Sequence, residues 1–265
     1  MLGTPCCQKR RHPMELTGNT VLVTGGGTGI GRAIAIALHR RGNRVVIAGR
    51  RTAALRAVAE AYPGIEWHPL DIADTACIGS FVAMLERRWP DLNVLVNNAG
   101  VMAIESPDTP DPAVSTSVVA TNLLGPIVLT SLLLPTLRSR PDAAIINITS
   151  ALAFVPLAIA PSYSATKAGL HAYTEALRIL LHESGIQVIE IAPPRVGTEM
   201  DGPGDPDSVD VDEFVAEVMA SLSARPPVTE VVVDAARALR YAEREGHYDR
   251  VLAAVNSKVR AEDVL

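Results

Sequence analysis

Three cysteines among 265 residues, two of them adjacent at Cys6 and Cys7, cannot build a disulfide framework, and such a chain suits a reducing cytoplasm. No Cys/His cluster has metal-ligand spacing, so no metal centre is expected. No run reaches the ~18 uninterrupted apolar residues of a membrane-spanning helix, so no span is expected. Basic charge is not in excess either. Lys and Arg number 24 against 29 Asp and Glu, a net charge of −5, whereas a nucleic-acid binder usually carries a basic patch. Charged residues are 20% of the chain and hydrophobic ones 48%, which excludes a disordered polymer and provides for a substantial core. At roughly 100–200 residues per domain, the length allows one large domain or two small ones.

The first thirteen residues stand apart. They carry Lys9, Arg10, Arg11 and His12 but lack the apolar block of roughly 7–15 residues that follows the charges of a secretory signal. They read as a disordered extension ahead of a folded domain at 14–265.

From residue 20 onward, short β-branched runs alternate with longer segments of helical periodicity. The runs fall at 21–24, 44–48, 66–70, 94–96, 144–148 and 188–191. The helical segments fall near 30–41, 52–62, 74–89, 113–138 and 162–183. Strands alternating with helices make βαβ units and a parallel sheet. The strands are apolar almost throughout, as strands covered on both faces should be. The pattern predicts a single α/β domain, a doubly wound parallel sheet of Rossmann type with helices on both faces.

The first strand runs directly into Gly25-Gly26-Gly27-Thr28-Gly29-Ile30-Gly31 and then an apolar helix. Glycines let the backbone turn tightly and approach a ligand, and a helix N-terminus offers free N–H groups to phosphate. Strand, glycine turn and helix in that order form the context a dinucleotide-binding loop requires. About twenty residues on, the second strand ends at Gly49-Arg50-Arg51, where NAD-binding proteins place an acid for the ribose 2′-hydroxyl. An acid would repel a 2′-phosphate, and guanidinium groups suit its oxygens, so NADP(H) is expected over NAD(H), with Arg50 as the reader and Arg51 as its neighbour. Asn98, Ala99 and Gly100 follow the fourth strand at the edge where ligands bind. Taken alone they fit an ordinary turn equally well.

Tyr163 and Lys167 stand at i and i+4, on one helical face. A free phenol ionises near pH 10, and a cation beside it favours the phenolate, which makes Tyr163 usable as an acid or base. Such a pair is common on ordinary helices. What raises its significance is Ser150, thirteen residues earlier and just past an apolar strand.

Thr24-Gly25-xxx-Gly29-x-Gly31, Asn98-Ala99-Gly100, Asn122, Ser150 and Tyr163-xxx-Lys167 together resemble the classical short-chain dehydrogenases/reductases in order and spacing, over nearly all of residues 15–198. Residues 14–20 and 191–196 look closer still to the DltE-like branch. The resemblance implies an oxidoreductase that interconverts a carbonyl compound and its alcohol. Tyr163 would be the general acid/base and Ser150 the hydrogen-bond donor to the substrate oxygen. Lys167 would hold the nicotinamide ribose, and Asn122 a proton-relay water. Asp71 and Ile72 would flank the adenine; Val196 and Thr198 would face the carboxamide. Two departures from the family pattern are Pro194, where a glycine is usual, and the missing glycine-rich strand motif near the C-terminus. A non-enzymatic NADP(H)-binding redox sensor is the alternative, and it has no use for Ser150 and Tyr163.

Residues 199–217 carry eight acids and no Lys or Arg. With 199–227 as a unit they read either as a substrate-side lid or as a solvated loop. Helical spacing resumes near 211–222 and 229–245, and the tail 248–264 reads as helix and charge. Met102, Ile104, Leu152, Phe154 and Val155 are the expected pocket neighbours, mostly apolar, which favours a neutral or apolar carbonyl compound. Ala165, Gly169, Ala172 and Ala176 form a stripe of small residues opposite the Tyr163 face, and the preceding long helix is apolar nearly all round. Two such faces predict a homodimer, with a tetramer as the alternative.

Overall fold

The computed structural model describes residues 14–200 and 208–257. The predicted extension at 1–13 lies outside the described residues. Strands β1 (Thr20–Thr24), β2 (Arg44–Gly49), β3 (Ile65–Pro69), β4 (Val94–Asn97), β5 (Ala144–Ile148), β6 (Gln187–Ile191) and β7 (Glu230–Val231) form one sheet in the order β3-β2-β1-β4-β5-β6-β7. Every pairing among them is parallel. The chain leaves β3 at one edge and re-enters beside β1 as β4. That reversal opens a crevice at the carboxyl ends of β1 and β4, the place where doubly wound sheets bind ligands.

Alternate strand residues feed two cores. Val21, Val23, Val45, Ile47, Val94 and Val96 point to one face, under α1 (Gly29–His39), α2 (Thr52–Ala61) and, later in the chain, α7 (Val211–Leu222). Leu22, Val46, Leu95, Ile145 and Val188 point to the other, under α3 (Thr75–Arg88), α5 (Gly125–Arg138) and α6 (Pro161–Leu180). A period of two along each strand, with helices on both sides, is the three-layer α/β arrangement.

The expected long helix at 113–138 is interrupted. It runs as α4 (Pro112–Val119), then a π-helical segment Ala120–Leu124, then α5. By length and composition Pro112–Arg138 is apolar enough to cross a bilayer. In this fold Val118, Leu129, Leu133 and Leu137 are buried, and Thr130 accepts a hydrogen bond from Asn97 at 2.9 Å, as in a core helix.

Two expectations for the last quarter of the chain are corrected. The segment 199–227 is not one lid. Residues 201–207 lie outside the described residues, while α7 buries Phe214, Val215, Val218, Met219 and Leu222 and packs on α1 as part of the core. The helical spacing at 229–245 gives way at its start to β7, because Val231 pairs with Ile191 and extends the sheet edge. Only a 3-10 turn (Asp234–Ala236) and the short α8 (Arg237–Arg240) follow. The tail forms α9 (Tyr248–Val255), and 258–264 lie outside the described residues.

Candidate active site

One cleft of about 1360 Å³ runs from the α1 N-terminus across the ends of β1, β4 and β5 to α6. Small-ligand pockets usually occupy roughly 300–1,000 Å³, so there is room for a dinucleotide and a second molecule. Of the residues singled out in the sequence, Gly25, Thr28, Gly29, Ile30, Arg50, Ile72, Asn98, Ala99, Gly100, Ser150, Tyr163, Lys167, Val196 and Thr198 line it.

At one end the glycine loop brings backbone close to backbone. Gly25 has φ +66°, and a Cβ there would stand 2.8 Å from Asn98 Nδ2. Gly31 does not line the cleft. A Cβ on it would stand 2.2 Å from Asn98 Nδ2 and 2.5 Å from the Gly25 carbonyl, so its part is to let α1 close onto the 98–100 turn. Asn98 answers by donating from Nδ2 to the Thr24 carbonyl at 3.0 Å. Thr24 Oγ1 accepts from the backbone N–H groups of Asn98 and Ala99 at 3.0 and 3.1 Å, which ties β1 to β4 at the switch point.

Gly49 leaves the ribose position without a carboxylate, and Arg50 and Arg51 line the cleft beside it. Arg51 donates to Glu199 Oε2 at 2.8 Å and to Thr28 Oγ1, bridging the glycine loop and the start of the acidic segment. Sequence reasoning gave Arg51 the lesser role and missed Glu199. Asp71 lies beside the cleft but outside its lining; its carboxylate accepts from Ala73 N at 3.0 Å and holds the turn that presents Ile72. Glycines at closest approach, a helix N-terminus and two guanidinium groups with no competing acid at position 49 together fit a phosphorylated dinucleotide.

At the other end, Ser150 is 7% exposed and caps a 3-10 turn (Ala151–Ala153), its Oγ accepting from Leu152 N at 3.1 Å. Tyr163 and Lys167 share the inner face of α6, with Lys167 Nζ 5.6 Å from the Tyr163 ring centroid. Lys167 is buried and donates to the Ile148 carbonyl at 2.8 Å. Its burial pushes the ammonium down to about 8. Asn122 is fully buried in the π-helical segment, behind the cleft wall rather than on it. Its Oδ1 accepts from Val101 N and its Nδ2 donates to Val101 O, each at 2.8 Å, while Nδ2 also reaches Thr166 Oγ1 at 3.2 Å. Gly100 lies beside both groups: a Cβ on it would stand in ordinary contact with Asn122 Oδ1 at 3.4 Å and Lys167 Nζ at 3.6 Å. Single-turn π segments inside α-helices are frequent at functional sites.

Glu105 is a further member that periodicity did not single out. Its carboxylate accepts from Ser162 N at 2.9 Å, Ser162 Oγ at 2.7 Å and Ser115 Oγ at 2.8 Å. It fastens the loop after β4 to the first turn of α6, next to Tyr163. Burial opposes its ionisation, yet the hydrogen bonds from Ser162 and Ser115 hold the carboxyl below its ordinary range.

The substrate-side wall is apolar. Met102, Ile104 and Leu152 line it as expected, with Leu157, Ile159, Leu239 and Val255 added from later in the chain. Phe154 and Val155 do not line it. Val155 is fully buried, and the Phe154 ring packs against His171 and Arg240.

Residues 19–208 match the family model for short chain dehydrogenases. The chain belongs to the short-chain dehydrogenase family. It is 41% identical over 187 residues to an uncharacterized oxidoreductase, DltE, of Bacillus subtilis strain 168, covering 70% of this chain and 74% of that protein, and it falls in that branch. Solved short-chain dehydrogenases share its fold. One from Burkholderia cenocepacia J2315, in complex with NADP, is 28% identical with a TM-score of 0.78, over 90% of this chain and 99% of that one. One from Streptomyces avermitilis is 29% identical with a TM-score of 0.76, over 90% and 94%. A variant of the actinorhodin polyketide ketoreductase, with NADPH, is 26% identical with a TM-score of 0.73, over 83% and 97%.

Proposed function

We propose that this short-chain oxidoreductase uses NADP(H) to interconvert a neutral or apolar carbonyl compound and its alcohol. The observation that carries the reading is one cleft joining the glycine loop and two arginines at one end to Ser150, Tyr163 and Lys167 under an apolar wall at the other. The family membership and the NADP-bound neighbours support it. NADP(H), when bound, would supply the hydride for reduction, and NADP+ would accept it in oxidation. In the reduction direction the Tyr163 hydroxyl gives its proton to the carbonyl oxygen, and in oxidation the phenolate takes it from the alcohol. Ser150 Oγ donates to the same oxygen and fixes its position. The buried Lys167 keeps positive charge beside the phenol ring, favouring the phenolate. Asn122 holds the 101 backbone and Thr166, and so the wall around Lys167. Arg50 and Arg51 recognise the 2′-phosphate, with Arg51 exchanging Glu199 for it. Cofactor sensing alone would leave Ser150 and Tyr163 without a purpose.

The reading includes a homodimer in the cytoplasm, with a tetramer as the alternative assembly. Val119, Leu124 and Leu132 on the α4–α5 helix and Ala165, Ala172 and Ala176 on α6 are exposed, and pairing with a second copy would cover them in a four-helix contact. Gly169 leaves the predicted stripe, since a Cβ there would meet Leu123 of the same chain at 3.2 Å.

The test is a carbonyl panel followed by NADPH absorbance, repeated with Tyr163→Phe. The variant should bind NADPH normally and turn over at least ~10²-fold more slowly, the usual scale of general acid–base catalysis. Near-normal turnover by Tyr163→Phe, or no turnover of any carbonyl by the wild type, overturns the reading.

A further inference from the structure

A group of charged residues lies directly behind the Ser150 turn and has no part in the chemistry above. Glu190 on β6 is 1% exposed. Its Oε1 accepts from the Thr149 hydroxyl at 2.7 Å, and His171 Nδ1 lies 2.8 and 3.0 Å from its two oxygens. His171 is on α6, one turn beyond Lys167. On the neighbouring strand Glu230 pairs with Arg240 Nε from α8. Ligating atoms of His171, Glu190 and Glu230 lie within 4.8 Å of one another, a spacing that could hold a metal ion. Here the Arg240 guanidinium and the His171 ring already provide the positive charge, and a carboxylate this buried requires such partners.

The group grips the Ser150 turn from both sides. Thr149 immediately precedes Ser150. Phe154 immediately follows the 3-10 turn that Ser150 caps, and its ring meets His171 edge-on at 4.8 Å with the Arg240 guanidinium 4.3 Å from its centroid. Backbone bonds from Thr149 N to Ile191 O and from Ala151 N to Pro193 O fix the height of the turn over the sheet. The side-chain contacts at Thr149 and Phe154 hold the same turn at its two ends.

We propose that Glu190 and His171 are positioning residues for Ser150, acting through the Thr149 hydroxyl before it and the Phe154 ring after it. Glu190, Glu230 and Arg240 come from β6, β7 and α8, so the closing edge of the sheet takes part in aiming a group on β5. The hydrogen bond that His171 donates to Glu190 raises the imidazole above its ordinary range, burial opposes, the Glu190 and Glu175 charges add to the rise and Arg240 lowers it. The shift favours the charged imidazole beside the buried Glu190 carboxylate. The role assigned to Ser150 rests on the proposed carbonyl chemistry, whereas the anchoring of the turn does not.

The experiment uses the full chain, three single variants and the double variant Thr149→Val/Glu190→Gln. Thr149→Val keeps the shape and removes the hydroxyl, Thr149→Ser restores it, and Glu190→Gln keeps the size and removes the charge. Hydrogen exchange of the peptide covering 149–155 reads the anchoring without any turnover. NADPH-dependent reduction of the best carbonyl found reads the aim of Ser150. Thr149→Val and Glu190→Gln should speed exchange in that peptide about tenfold or more, and kcat should fall between about 10- and 100-fold, the scale of a small misplacement of a reacting group. NADPH Kd should stay within about twofold and Thr149→Ser should restore both readouts. The double variant should lose no more than the worse single one, as residues acting through one another do. Unchanged exchange in both single variants overturns the proposal. So does a lowered Tm with wild-type kcat, which would mark an ordinary structural contact. Faster exchange in a protein that reduces no carbonyl would support the anchoring and reject the catalytic reading of Ser150.

Discussion

Lys167 Nζ donates to the Ile148 carbonyl across 2.8 Å from a side chain only 4% exposed, so α6 is fastened to the end of β5 by a charge that burial disfavours. Burial lowers this lysine from 10.5 to about 8. Between those values the unfolded chain binds more protons than the folded one, so this group's contribution to stability rises with pH across about 8 to 10.5. Lys167→Met keeps the stem and drops the charge. Its Tm at pH 7 should equal or exceed that of the wild type, and the wild type should gain on it between pH 8 and 10. Melting curves of both proteins without cofactor at the two pH values check this. A variant several degrees less stable at pH 7 would show that the ammonium stabilises the fold.

The coenzyme preference follows from the mouth of the cleft. NADPH should bind more tightly than NADH. Arg50→Ala and Arg51→Ala should each weaken NADPH about tenfold, the worth of a hydrogen bond between charged groups, and change NADH little. Fluorescence titration of both cofactors measures it, and equal losses for the two would show that neither arginine reads the 2′-phosphate.

Gly31→Ala tests the glycine loop without touching the ligand. A methyl group would be forced within 2.2 Å of Asn98 Nδ2. Either α1 or the 98–100 turn must shift, so NADPH affinity should fall by at least about tenfold and the Tm should fall with it, as overpacking usually costs roughly 1–3 kcal/mol. Unchanged affinity would mean that the loop tolerates a wider approach than it shows.

For the dimer, the residues to change are the exposed ones. Ala172→Arg, or Leu132→Glu, should yield a folded monomer at micromolar concentration where the wild type runs as a dimer in light scattering. Gly169→Trp is a poor choice, because it would disturb Leu123 within the chain. A wild type already monomeric rejects the interface.

Much of this architecture is legible in the sequence. The β-branched runs and the helical spacings locate six strands and the five helical stretches between them, because burial on both faces leaves a strong signature at each. β7 is not legible, since two residues gain their strand character only by pairing with β6. The π-helical segment is equally silent. The glycine loop, Ser150, Tyr163 and Lys167 can be read because fixed local spacing ties each to an element end or a helix face. Glu105, Glu199, Leu239 and Val255 reach the site from separate segments, and no spacing along the chain relates them to it. Phe154 misleads for the opposite reason: it is near Ser150 in sequence, but the 3-10 turn directs its ring away from the cleft toward Arg240.

The π-helical segment around Asn122 holds one residue more than an α-helical turn, its bond running from Gly125 N to Ala120 O. In an α-helix each residue advances the azimuth by about 100°, so four residues sweep nearly the angle that these five do. Removing a single residue from Ala120–Leu124 would therefore close the turn and leave α4 and α5 facing as they do. Ser115, which holds Glu105, and Val118, which is buried, would keep their places. What would be lost is the widened turn that carries Asn122 and its bonds to Val101 and Thr166. The extra residue is thus a local insertion that the rest of the helix does not feel.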